Sequence, residues 1–160
     1  MSRINKVGIA ILLILVVTIL QQKEEIRFFG VKPNIILVFL AILPFFIDGW
    51  ASALMLVFFS GTLLMWGGGG EWHTIVLIAI GISFFFIKRY LPWKRYLDAF
   101  ACMLGGTIAF ALISAPLFFF HAPTVLLREI VLNSIVGGLL YLLLLALYHN
   151  EPGSENSIRL

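Results

Sequence analysis

The 160-residue chain has a single cysteine, Cys102, inside an apolar run, so no intramolecular disulfide can form and no cysteine cluster can bind a metal. Charge is scarce as well: 12% of the residues are Asp, Glu, Lys or Arg, while 61% are hydrophobic and the mean hydropathy is +1.06. A water-soluble domain of this size would lack the polar residues needed to cover its surface. Histidine occurs three times, as His73, His121 and His149, each in a different connector or helix end. There is no HExxH, no paired-aspartate motif and no Ser/His/Asp set, so the common starting points for metal or nucleophilic chemistry are missing. His73 and His121 fall on one side and would make at most a weak metal site; histidines at a water interface are the plainer reading, and no cofactor is expected. No internal repeat and no second domain is visible. Residues 1–150 are expected to form one transmembrane helical bundle, and 151–160 a short polar tail.

What is present is a succession of apolar runs separated by short polar connectors, the pattern of an all-α, polytopic membrane protein. A helix needs about 20 residues to cross about 30 Å of hydrocarbon. Six spans are expected, over 4–22, 34–47 (starting as early as Phe28), 50–66, 74–90, 99–120 and 128–148. The opening "MSRINK" and the apolar run after it resemble a signal peptide without a small-x-small cleavage site, and are read as an uncleaved first span. With the N-terminus inside, seven Lys and Arg face the cytoplasm and four face outward; Lys88, Arg89, Lys94 and Arg95 dominate the tally. The net charge of +3 therefore reflects basic residues beside apolar spans, not a nucleic-acid surface.

Polar residues near the spans are few. Asp48 sits in a two-residue turn with Gly49, and Asp98 borders the basic loop, so both are expected to be hydrated. Arg128 and Glu129 read as interfacial anchors. Asn133 differs, because it lies about one turn inside the last span with Gly137 on the same face, and its amide is best satisfied by a neighbouring helix. Small residues recur at four-residue spacing as Ala101, Gly105 and Ala109, and as Ser134 and Gly138, so these faces are expected to let helices approach closely, within the bundle or from a partner. "MWGGGGEWH", residues 65–73, lacks the Lys-Ser/Thr of a phosphate loop and reads as a tight external turn bracketed by Trp66 and Trp72. In "RFFGVKPN", Gly30 permits a bend and Pro33 suits a helix start, with Lys32 and Asn34 at its entrance.

Taken in order, these features resemble the rod shape-determining MreD family of small bacterial inner-membrane proteins. The resemblance rests on Lys32, Pro33 and Asn34 opening the second span before "IILVFLAILP", the turn at Asp48 and Gly49, and the glycine-bearing end of the third span (Gly61, Gly67 to Gly70). Asn133 and Gly137 in the last span complete it, so it covers about residues 28–148. One position departs: the family commonly has an aspartate four residues after the glycine matching Gly61, and here Met65 stands in its place.

The resemblance implies a fold similar to the substrate-binding subunits of energy-coupling-factor vitamin transporters. It also implies a noncatalytic role in the cell-elongation machinery, with a MreC-like periplasmic scaffold, MreB, RodA and a class B penicillin-binding protein as partners beside membrane lipid. On that reading Lys32, Pro33, Asn34, Asp48, Gly61, Gly105, Ala109, Asn133 and Gly137 are the partner-binding or helix-packing candidates. The alternative is a solute-binding transporter subunit in which Trp66, Trp72 and the glycines cap an outward pocket. Span one argues against it, since Ala10 is followed four residues later by Ile14 where such subunits carry a second alanine. An intramembrane enzyme using Glu71, His73 or Glu129 is a distant third.

Overall fold

A computed structural model describes residues 3–23, 27–28, 30–47, 49–66 and 70–149. The described chain is helical, and its one extended feature is an isolated bridge between Phe28 and Val31. The helices are α1 (Arg3–Gln22), α2 (Ile35–Ile42, continued by a 3-10 turn over Leu43–Phe45), α3 (Trp50–Trp66), α4 (Glu71–Ile87), α5 (Arg95–Ser114), the short α6 (Pro116–His121) and α7 (Pro123–His149). By length and composition, α5 and residues Pro123–Tyr148 of α7 are long and apolar enough to cross a membrane; α1, α2, α3 and α4 carry shorter apolar stretches.

The position of α2 follows from its composition. "IILVFLAI" has no polar face, and a helix apolar on all sides needs neighbours on all sides. All eight residues are buried, and α2 packs on α1, α4, α5 and α7. Its start is set locally. Phe28 and Val31 exchange backbone hydrogen bonds at 2.8 and 3.0 Å across a turn in which Gly30 has φ +79°, a left-handed conformation that suits glycine. The second span therefore does not begin near Phe28: this segment pairs with itself, and Pro33 follows it directly. At the other end Pro44 lacks an N–H, and the chain tightens so that Phe46 N–H donates to the Leu43 carbonyl at 3.0 Å.

Other boundaries shift for similar local reasons. α4 starts at Glu71, three residues before the expected 74, directly after Gly70. The fifth span does not run through to Phe120. Pro116 disfavours helical geometry at the residue before it, and Ala115 leaves the helix at φ −149°, ψ 65°. The last helix starts at Pro123, five residues ahead of Arg128, with proline at a first helical position where its missing N–H costs nothing. Asp48, Gly67 to Gly69 and the 151–160 tail lie outside the described residues, so the two-residue turn and the glycine turn do as well.

One end of the bundle gathers the N-termini of α1 and α5 with the C-termini of α2, α4 and α7. There Lys88 Nζ donates to the Pro44 carbonyl at 2.6 Å, tying the end of α4 to the end of α2. Phe46 is buried with Tyr141 edge-on at 5.2 Å and Tyr148 at 5.7 Å, and the Arg95 guanidinium lies 4.4 Å from its ring centroid. Replacing Lys88 with methionine should therefore destabilise the fold by about 1–2 kcal/mol, the range for a charge-assisted hydrogen bond in a half-buried site, read by chemical unfolding of the purified protein. A Lys88→Met protein as stable as the parent would show that this tie contributes nothing.

Candidate functional site

The opposite end holds a connected polar cluster, assembled around the start of α2. The first N–H groups of any helix have no intrahelical partner, and at a buried helix start that deficit must be met by side chains. Here three different side chains meet it. Asn34 N–H donates to Asn133 Oδ1 at 2.9 Å, Ile35 N–H to Gln21 Oε1 at 2.8 Å, and Leu37 N–H to Asn34 Oδ1 at 3.1 Å, the last a helix cap of ordinary kind. Asn133 also donates from Nδ2 to Thr107 Oγ1 at 3.1 Å, and Thr107 in turn donates to the Met103 carbonyl at 2.9 Å. A continuous hydrogen-bonded path thus joins α2, α5 and α7, and a separate bond from the next residue of α2 ties in α1. Asn133 and Thr107 are each 1% exposed, so that part of the network is closed to bulk water, while Asn34 and Gln21 are half-buried.

The members of this path are amides and a hydroxyl, groups that do not ionise in water near neutral pH. Their chemistry is geometric: each amide has a donor and an acceptor side, and both sides of Asn133 are used, which fixes its orientation and the register of α7 against α2 and α5.

The structure brings some of the sequence-identified residues together and separates others. Asn34 and Asn133 meet directly, and Pro33 is buried beside them in sequence, with Lys32 half-buried. Gly137, one turn from Asn133, is buried where α2, α5 and α7 converge; a Cβ there would run into the Met103 sulfur and stand 3.2 Å from Val38 Cγ1. Gly61 is buried against α4, where a Cβ would run into Ile78. Asp48 lies outside the described residues.

Two expectations need correction. The row Ala101, Gly105 and Ala109 does not pack as a row. Gly105 is exposed, with nothing within 4 Å of a Cβ built on it, and Ala109 is half-buried. The glycine of α5 that faces a neighbour is Gly106, where a Cβ would run into Phe84; the buried side of the helix lies one residue further on, at Cys102 and Gly106, with Met103 and Thr107 beside them. Asp98 is not hydrated but 6% exposed, and its Oδ1 has no hydrogen-bond partner. It lies on the buried side of the first turn of α5, which the nearby basic loop obscured.

Gln21 and Thr107 escaped the sequence reading. The available signal was position: Gln21 is the first amide after an apolar run, and Thr107 is the only serine or threonine in α5 before Ser114. Arg128 is exposed and Glu129 half-buried near the start of α7, with Glu71 and His73 exposed at the start of α4. His121 Nδ1 lies 2.7 Å from the Leu117 carbonyl within its own helix. Among the described residues no three His, Cys, Asp or Glu side chains are grouped so as to hold a metal. Comparison with known protein families, curated proteins and solved structures finds no match for this chain.

Proposed function

We propose that this chain is a multi-pass protein of the bacterial cytoplasmic membrane, similar in kind to the MreD family, that acts as a noncatalytic scaffold for peptidoglycan synthesis during cell elongation. The observation that carries the proposal is the Asn34–Asn133–Thr107 path. The residues that most resemble the family, at the start of the second span and in the middle of the last, meet each other and serve to lock α2, α5 and α7 in register. A scaffold needs a rigid frame and an outward apolar surface. The surface is supplied by α7, where Leu127, Val131, Ile135, Leu139 and Leu142 are each at least half exposed. A face of this kind meets lipid or a partner's helix.

Under this proposal the chain crosses the membrane six times, by α1, α2, α3, α4, α5 and α7, with α6 lying at one surface and a frame like that of vitamin-transporter binding subunits. α2 with its 3-10 extension is too short to span alone, which its burial among other helices offsets. Both termini face the cytoplasm, because Lys88, Arg89, Lys94 and Arg95 share an end with the start of α1, and Trp93 and Tyr90 stand exposed beside them as interfacial anchors. The partners are a MreC-like single-span protein first, then MreB, RodA and a class B penicillin-binding protein. The solute-binder alternative draws less support: Trp66 is 91% and Trp72 56% exposed, which suits rings anchored at an interface better than rings closed over a pocket.

Affinity purification of the tagged chain from native membranes in mild detergent should recover a single-span, MreC-like protein in near-stoichiometric amount. Recovery of no elongation protein under conditions that preserve a known elongation complex would overturn the scaffold reading.

A further inference from the structure

Between α5 and α7 runs an apolar groove of about 640 Å³. Its floor is Met103, Gly137 and Gly138, its walls are Phe100 and Leu142, and Lys94 and Arg95 stand at one end. We propose that this groove holds one acyl chain of an anionic phospholipid, with the lipid phosphate drawn to Lys94 and Arg95. The inference rests on the membrane reading above and goes beyond it, because it assigns a specific lipid class to a specific face.

Charge and depth favour this occupant. Lys94 is exposed at the N-cap position of α5 and Arg95 follows it, so two cations and the positive end of a twenty-residue helix share the mouth. Asp98, the one acid in the first turn of α5, is buried and does not line the groove, so the charged side chains that line it, Lys94 and Arg95, are both basic. Trp93 and Tyr96 are each more than half exposed at the same level, the placement of side chains that sit among lipid headgroups. From Arg95 to Met103 the groove descends eight residues of helix, about 12 Å, into the apolar part of the bundle. The headgroup charges and the apolar cleft are therefore stacked in the order in which a phospholipid presents phosphate and acyl chain. A partner's transmembrane helix would match the cleft but would leave the exposed Lys94 ammonium without an anion.

Glycine makes the cleft, and one of the two glycines provides a clean test. A Cβ on Gly137 would strike Met103, whereas a Cβ on Gly138 meets nothing within 4 Å, so Gly138→Leu fills the groove without disturbing the packing around it. Gly105→Leu serves as the control, since Gly105 is equally open but does not line the groove.

Native mass spectrometry of the full-length protein in detergent would compare dioleoyl phosphatidylglycerol with dioleoyl phosphatidylcholine, after alkaline carbonate extraction has tested membrane integration. The protein should stay with the membrane and prefer phosphatidylglycerol. Lys94→Gln should weaken that lipid about fivefold, the value of one basic residue at an anionic surface. Gly138→Leu should weaken it by about as much or more, through loss of acyl-chain packing, and Gly105→Leu should leave it unchanged. Soluble glycerol phosphate should not displace the lipid. Membrane retention with equal binding of the two lipids, equal effects of the two leucine variants, or displacement by glycerol phosphate would overturn the groove assignment while leaving the membrane reading intact. Release of the chain by carbonate would overturn both.

Discussion

Asn133→Ala should lower the unfolding free energy by about 1–3 kcal/mol, the cost of leaving a buried backbone N–H without an acceptor. The group left to bear that cost is Asn34 N–H, at a half-buried helix start and facing a side chain that is 1% exposed. Hydrogen bonds between membrane helices are often worth little, about 0.6 kcal/mol on average, because the separated helices find other partners. A main-chain N–H at the mouth of a buried helix is less able to do so. The effects should therefore rank by what each substitution strands. Asn34→Ala removes the cap on Leu37 N–H but keeps Asn34 N–H on Asn133, and should cost about 1 kcal/mol. Thr107→Val strands an amide proton of the 1%-exposed Asn133 and should cost about 1–3 kcal/mol, more than the loss of the half-buried cap. Thermal and chemical unfolding of the three variants in the same detergent would give the order; an Asn133→Ala protein as stable as the parent would show that α2 is held by apolar packing alone.

Gly81→Val should have an effect at least as large, for a steric reason. Gly81 is buried where α4 crosses α2 and α3, and a Cβ there would stand 3.2 Å from both Leu40 Cδ1 and Val57 Cγ1. Leu40 can turn its side-chain end aside, but Val57 is β-branched and stiff, and it is fully buried. Two further methyls have no space to enter, and overpacking of this kind costs about 1–3 kcal/mol or more. Gly138→Leu, a larger side chain on an open face, should stay within about 0.5 kcal/mol of the parent. The pair separates size from location. Equal losses of folded, monodisperse protein on size-exclusion chromatography would contradict the packing described around Gly81.

How far the sequence reached can be judged from these same residues. The helical character, the order of the helices and most of their extents were legible, because apolar runs and their polar interruptions are local properties. α3 spans Trp50–Trp66 as expected, and α1 differs by one residue at its start. Boundaries moved where a local device outweighed hydropathy, as at Pro116, which ends α5 early, and at the Phe28–Val31 turn, which delays α2. Asn133 stood out because an amide in an apolar run must find a partner. Thr107 did not, because a threonine can satisfy itself on the carbonyl one turn back, as it does here with Met103.

By itself, then, the sequence determined that this chain is a set of mostly apolar helices, and that Asn133 among its few polar groups had to be paired. Hydrophobicity and hydrogen-bonding capacity belong to each residue alone, and no neighbour is needed to read them. Tertiary structure decided which side of each helix faces inward. It chose Gly106 over Gly105 and buried Asp98 beside a basic loop, and it joined Asn34 to Asn133 across 99 residues of chain. A helix that is apolar all round carries no moment to orient it, so rotation about its axis is set by the shapes of its neighbours, and only the assembled bundle contains them.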